Sequence, residues 1–178
     1  MTVNEIKQNY LCLEYRQEPK DRDYGSCLWA RFLFNLDRYE LSISSDCGNY
    51  GYKWTETPKA ESFLHLMART DSGYMMDKLY GPADIFDFEE TKKAIYKYYN
   101  KVEGNADPLD EIFWEMEIQG EPDRAEDFCR IYSDAGGEEP WLFIKYIYPS
   151  NALKIIEVFR DHIQPKIREI LRGEDKNK

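Results

Sequence analysis

The first third of the chain alternates apolar and polar positions with a period of two. Leu11, Leu13 and Tyr15 alternate with Cys12 and Glu14. Leu28, Ala30, Phe32, Phe34 and Leu36 then share one face of a second segment, and Trp29, Arg31 and Leu33 share the other. After the turn Leu36-Asp37-Arg38, Tyr39, Leu41 and Ile43 alternate with Glu40, Ser42 and Ser44. Asp46-Cys47-Gly48-Asn49 turns the chain into Tyr50, Tyr52 and Trp54. This pattern predicts a four-stranded antiparallel meander. The polar loop from Glu18 to Gly25 is longer than a tight hairpin requires.

Beyond Thr57-Pro58 the period changes to that of a helix. Phe63, Leu66 and Met67 are helically spaced, Asp71-Ser72-Gly73 interrupts them, and Tyr74, Met75 and Leu79 resume the spacing before Gly81-Pro82. A third helix is expected from about Phe88 to Val102, with Ala94, Ile95, Tyr98 and Val102 inward and Lys92, Lys93, Lys97 and Lys101 outward. Leu109, Ile112, Phe113 and Met116 follow the i, i+3, i+4, i+7 rule, as do Ala125, Phe128, Cys129 and Tyr132. Gly120-Glu121-Pro122 separates these two helices into a hairpin. A last helical region holds Trp141-Leu142-Phe143-Ile144 and then Leu153, Ile156, Phe159 and Ile163. Ser150 or Asn151 is its expected N-cap, Pro165 is expected to kink or end it, and the tail should fray from Gly173.

The pattern reads as an α+β fold: an N-terminal four-stranded antiparallel meander packed against about five to six C-terminal helices. One domain over 1–178 is expected, with a sheet region at 8–56, a helical region at 59–172 and a helical hairpin at 103–139.

Charge sharpens this picture. Between Glu103 and Glu139 lie thirteen acidic residues and only two basic ones, Arg124 and Arg130, a local −11 against −10 for the whole chain. Thirteen acids in 37 residues is about one per 4 Å of helix at 1.5 Å rise. Two helices side by side would present about one charge per 2 Å, comparable with the roughly 1.7 Å spacing of duplex DNA. A field of that density steers a basic partner and disfavours direct contact with nucleic acid or anionic lipid. The simpler account is a solvated helical face, partly quenched by the lysines of the third helix. Tyr96 and Tyr99, with Tyr98, Tyr146 and Tyr148, are candidate interface anchors, and about half of these should be core. No run approaches about 18 apolar residues, so no membrane association is expected. Met1-Thr2-Val3-Asn4-Glu5 has neither a basic nor an apolar leader region, which places the expected location in the cytosol of the cell that makes the protein.

Candidate chemistry is sparse. Cys12, Cys27, Cys47 and Cys129 form no CxxC pair and have no neighbouring histidine, so reduced thiols and no zinc ribbon are expected. Cys47 beside Asp46 could act as a nucleophile only with His65 or His162 as base, and the ordinary reading is a hairpin turn. Asp107, Asp110 and Glu111, or Asp84 and Asp87, could hold magnesium, but helix N-termini collect acids for the macrodipole alone. No phosphate loop, nucleophile elbow or HExxH helix is present. No catalytic residue, metal or cofactor is therefore assigned.

Tyr24-Gly25-Ser26-Cys27-Leu28-Trp29-Ala30-Arg31-Phe32, Ser45-Asp46-Cys47-Gly48-Asn49-Tyr50-Gly51-Tyr52-Lys53-Trp54 and Glu61-Ser62-Phe63-Leu64 together resemble small acidic phage and prophage proteins over about the first 80 residues. The resemblance carries no catalytic residues with it. It implies a mobile-element context, in which small acidic proteins often inhibit host defence, anti-CRISPR proteins among them. The expected function is accordingly a non-enzymatic phage inhibitor. It would bind the basic, nucleic-acid-binding surface of a bacterial defence protein or CRISPR effector by acidic mimicry. The expected contacts are Asp107, Asp110, Glu111, Glu115, Glu117, Glu121, Asp123, Glu126 and Asp127, with Tyr96 and Tyr99 as anchors. The alternatives are a small cytosolic enzyme acting on a host factor or nucleotide through Cys47, Asp46 or an acidic metal site, and a structural or accessory module that oligomerises, for example as a homodimer, through its sheet edge.

Overall fold

The period-two segments form strands β1 (Tyr10–Arg16), β2 (Trp29–Asn35), β3 (Glu40–Ser45) and β4 (Gly48–Lys53), in a computed structural model that describes residues 7–22, 24–57, 61–102 and 107–175. Of the positions used above, Met1 to Glu5, Pro58 and Glu103 lie outside the described residues, as do the side chains of Val102 and Asp107. The strands pair antiparallel in the order β1-β2-β3-β4, with Leu13 opposite Phe32, Phe32 opposite Ile43 and Ile43 opposite Tyr50. This register places Ala30, Phe32, Phe34, Leu41 and Ile43 on one buried face. A one-residue slip would turn all of them to water, at a cost of roughly 1.5–3 kcal/mol for each large side chain.

The helices are α1 (Phe63–Arg69), α2 (Ser72–Leu79), α3 (Phe88–Val102), α4 (Asp107–Gln119), α5 (Ala125–Asp134), α6 (Ser150–Val158) and α7 (Gln164–Asp175). A π-helical turn, Phe159–Ile163, joins α6 to α7, and a 3₁₀ turn covers Pro140–Leu142. Short strands β5 (Ile85–Phe86) and β6 (Tyr146–Ile147) pair antiparallel. The fold is α+β. No helix is long and apolar enough to cross a membrane among the described residues.

Two compact units divide the chain: Met1–Pro82 with Pro149–Lys178, and Ala83–Tyr148. In the first, α1, α2, α6 and α7 join the sheet. Phe63 of α1 packs edge-on to Phe34 at 6.3 Å, and Phe159 lies 6.1 Å from Phe32. The helical stretch that reads as continuous in the sequence is thus split, because its two ends share a core with the strands. The last carbonyls of α1 have no partner within the helix, and α7 supplies one: Arg168 Nε donates to the Ala68 carbonyl at 2.9 Å.

Two details of this unit differ from expectation. Pro149, not Ser150 or Asn151, occupies the N-cap of α6, and no side chain caps that end. Pro165 does not stop the helix. The π-turn just before it sends the Gln164 N–H to the Phe159 carbonyl, and α7 continues past Gly173 to Asp175. The wider turn accommodates a residue that lacks an N–H and crowds the carbonyl four positions back.

The second unit is built around Phe88, Ile95, Leu109, Phe113, Met116, Phe128, Tyr132 and Phe143. Phe128 and Tyr132 stack at 5.5 Å, and Tyr132 lies 6.1 Å from Phe113. The inward stripe of α3 runs through Phe88, Thr91 and Ile95, which leaves Tyr98 exposed rather than inward. Thr91 is fully buried because its Oγ1 accepts from the Lys145 N–H at 2.9 Å, while the Asp87 N–H donates to the Lys145 carbonyl at 2.9 Å. Asp87 also caps α3, accepting from the Glu90 N–H at 2.9 Å. Trp141 and Leu142 are exposed, because they lie in the 3₁₀ turn rather than on a helix facing the core.

Candidate functional site

The unit Ala83–Tyr148 holds 17 acidic and seven basic residues, a net −10 equal to that of the whole chain. The remainder is neutral, with 17 of each sign. Charge is therefore segregated by folding unit as well as by sequence segment.

Within this unit the candidate acids fall into two groups. The first has local partners. Glu117 pairs with Lys92 of α3, whose ammonium also lies 5.7 Å from the Phe113 ring centre, so Lys92 turns toward α4 instead of outward. Asp127 pairs with Arg130 at 3.3 Å, and Glu126 lies 3.7 Å from Arg124. Glu126 and Asp127 also occupy the first turn of α5, where the helix dipole favours negative charge. Asp110 accepts from the Tyr96 hydroxyl at 2.6 Å. Burial, this hydrogen bond and the nearby negative charges of Asp110 and Glu117 push the Tyr96 phenol above its ordinary value. Tyr96 is half-buried, packed on Phe113 at 5.3 Å, and Tyr99 is half-buried with its ring edge-on to Tyr98.

The second group is Glu111, Glu115, Glu121 and Asp123. All four are exposed, and none forms an ion pair among the described residues. Glu115 and Glu117 lie in the C-terminal half of α4, which has no basic residue in its last turn. Negative charge there opposes the helix dipole, so local helix stability does not account for it.

Between these acids stand two apolar side chains. Trp114 is 62% exposed and Ile118 is 64% exposed. With Glu111 and Glu115 they occupy the face of α4 opposite buried Leu109, Phe113 and Met116. Neither belongs to the anchors expected from the tyrosine pattern. Their signal was the same helical spacing, read for what falls opposite the core stripe. Trp is among the residues most enriched at interface hot spots, and exposure of one in an acidic surround marks this face as the candidate partner-binding surface. The side chain of Asp107, which opens α4, lies outside the described residues.

Asp46 and Cys47, the candidate nucleophile pair, form the two-residue tip of the β3–β4 hairpin. Gly48 follows at φ +118°, a left-handed conformation that favours glycine, and a Cβ there would also press on the Tyr50 hydroxyl at 2.9 Å. Cys47 is buried, and its Sγ donates to the Ser26 carbonyl at 3.2 Å. The two histidines have other partners: His65 Nδ1 lies 2.7 Å from Ser62 Oγ, and the His162 ring is 4.7 Å from that of Tyr15. The sequence did not pair Cys47 with Cys27, yet the fold does. Burial, Cys47 and Asp46 together raise the Cys27 thiol. Burial would raise Asp46 too, but hydrogen bonds from the Leu28 and Trp29 N–H groups and the Cys27 thiol outweigh it and hold the carboxyl low.

No curated protein and no solved structure matches the chain. A phage protein family matches residues 4–169, nearly the full length and well beyond the first 80 residues that carry the resemblance seen in the sequence. The chain belongs to this phage family, Phage_phiTE_072.

Proposed function

We propose that this phage protein is an inhibitor of a bacterial defence system, of the anti-CRISPR kind. It presents the acidic face of the Ala83–Tyr148 unit to a basic surface that otherwise holds nucleic acid. The observation that carries the reading is the segregation of charge: one unit bears the full −10 and the other is neutral. A surplus that served solubility alone would have no reason to collect on one unit. Glu111, Glu115, Glu121 and Asp123 supply charge that no basic side chain offsets among the described residues, and Trp114 and Ile118 supply the apolar contact that charge alone lacks. Charge complementarity sets the association rate and its salt dependence, while the apolar anchor sets the lifetime of the complex.

The test is an affinity capture by the tagged full chain from bacterial lysate expressing CRISPR effectors, eluted with a salt gradient. One basic nucleic-acid-handling complex should elute at moderate salt. It should be absent when Glu111, Glu115, Glu121 and Asp123 are all changed to Lys in a variant that still folds. Capture of the same complex by the four-fold variant, with unchanged salt dependence, would refute the mimicry.

A further inference from the structure

Cys27 and Cys47 are twenty positions apart in sequence, and the pairing of β2 with β3 brings them together. Ala30 opposite Ser45 sets the register, so the residues just before β2 face those just after β3. Cys27 Sγ lies 3.6 Å from Asp46 Oδ1, and Cys47 Sγ lies 3.2 Å from the Ser26 carbonyl oxygen. The donor atoms of Cys27, Asp46 and Cys47 all lie within 4.8 Å of one another. Both thiols are buried, whereas Asp46 is exposed and opens the cluster to solvent.

We propose that Cys27, Asp46 and Cys47 form a binding site for a thiophilic divalent cation of the zinc class, with the Ser26 carbonyl oxygen or a water molecule in the fourth position. Tetrahedral zinc has bonds of about 2.3 Å to sulfur and about 2.0–2.2 Å to oxygen, which separates neighbouring sulfur and oxygen ligands by about 3.5 Å. The sulfur–oxygen distances of 3.6 and 3.2 Å lie on either side of that value before any cation draws the ligands in. Two thiolates select a soft cation over magnesium or calcium. Binding replaces both S–H protons and releases them to solvent, so the two thiolates and the carboxylate bring −3 to a +2 ion.

The ligands are held by partners of their own. The Asp46 carboxylate accepts from the Leu28 N–H at 2.8 Å and the Trp29 N–H at 3.3 Å. The Cys47 carbonyl accepts from the Tyr50 hydroxyl at 2.9 Å, and the Cys47 N–H donates to Ser45 Oγ at 3.2 Å. Such outer partners orient ligands in metal centres. This inference concerns the sheet unit and is independent of the acidic face.

The experiment is titration of the reduced full-length protein with Co²⁺, followed by competition with Zn²⁺. One equivalent should produce thiolate-to-cobalt charge transfer and the intense visible absorption of tetrahedral cobalt, and Zn²⁺ should abolish both. Cys27→Ser and Cys47→Ser should each remove the charge-transfer band, while Cys12→Ser and Cys129→Ser should leave it unchanged. Because both ligand cysteines are buried, circular dichroism accompanies each variant. Asp46→Asn, at an exposed position, avoids the packing question and should weaken Co²⁺ affinity by about 10-fold or more. Absence of charge transfer in the reduced wild-type chain overturns the proposal, as does its persistence in Cys27→Ser or full affinity in Asp46→Asn. A Cys27–Cys47 disulfide in oxidised protein that takes up no cobalt after reduction also overturns it, and makes the pair a redox couple instead.

Discussion

The side-chain amide of Gln164 donates to the backbone carbonyl of Met67 at 2.9 Å, across 97 positions of sequence. The same nitrogen reaches the Thr70 carbonyl at 2.6 Å, so one buried glutamine closes the C-terminal end of α1 from the start of α7. Gln164→Leu would leave both carbonyls without this donor. Each unsatisfied buried acceptor costs about 1–3 kcal/mol, so the variant should lose about 2 kcal/mol or more in urea unfolding. A loss below about 0.5 kcal/mol would show that water replaces the amide.

Among the described glycines, Gly137 is the one most intolerant of a side chain. A Cβ there would stand 2.0 Å from Cε1 of Tyr132, a ring that is fully buried beside Phe113 and Phe128. Gly137→Ala should destabilise the Ala83–Tyr148 unit by about 2 kcal/mol or more through overpacking. Combining it with Tyr132→Leu should cost less than the sum of the two single changes, which thermal unfolding of the four proteins would measure.

Tyr96 carries a pH dependence. Its phenol sits above the ordinary value of 10.0 because burial and Asp110 favour the neutral form. The stabilisation is whole below pH about 10, where the unfolded chain also holds this proton, and is lost as pH rises through the folded value. Tyr96→Phe removes the hydrogen bond to Asp110 and should cost about 1 kcal/mol near neutrality, discounted for partial exposure. The difference in Tm between wild type and Tyr96→Phe should shrink as the pH is raised above about 10. A constant difference would mean that the hydroxyl contributes no linked stabilisation.

Trp114 separates folding from binding. Its side chain is 62% exposed, so Trp114→Ala should change stability by no more than about 0.5 kcal/mol. If the acidic face holds a partner, the same change should weaken capture about tenfold or more through faster dissociation, with the salt dependence preserved. Charge reversal at Glu111, Glu115, Glu121 and Asp123 should act mainly on association and salt response. Surface plasmon resonance on the captured target distinguishes the two behaviours, and equal effects on both rates would remove the division of labour.

Local periodicity made most elements legible. Alternation in β2 and β3 identified the buried set Ala30, Phe32, Phe34, Leu41 and Ile43, and helical spacing identified Leu109, Phe113, Met116, Phe128 and Tyr132. The same spacing misjudged α3. Thr91 lies inward because Lys145, 54 positions later, supplies its hydrogen-bond donor, and a threonine in a helix gives no sign of so distant a partner. The exposed Trp114 and Ile118 were readable as the reverse of a correctly drawn core stripe. The Cys27–Asp46–Cys47 cluster was not, because its spacing matches no local motif and its geometry comes from strand register.

The alternating and helical segments, the turns between them, the local concentration of acid and the phage character of the chain were legible in the residues alone. These follow from side-chain chemistry repeated over a few residues, where backbone geometry alone decides which positions share a face. Long-range packing sets what local pattern does not: α6 and α7 return to the sheet while α3 to α5 form a separate unit. It alone decided that Lys92 offsets Glu117, that Gln164 closes α1, and that two distant thiols meet beside one carboxylate. Such contacts depend on which faces can be buried together, and that choice is made by long-range packing rather than by local periodicity.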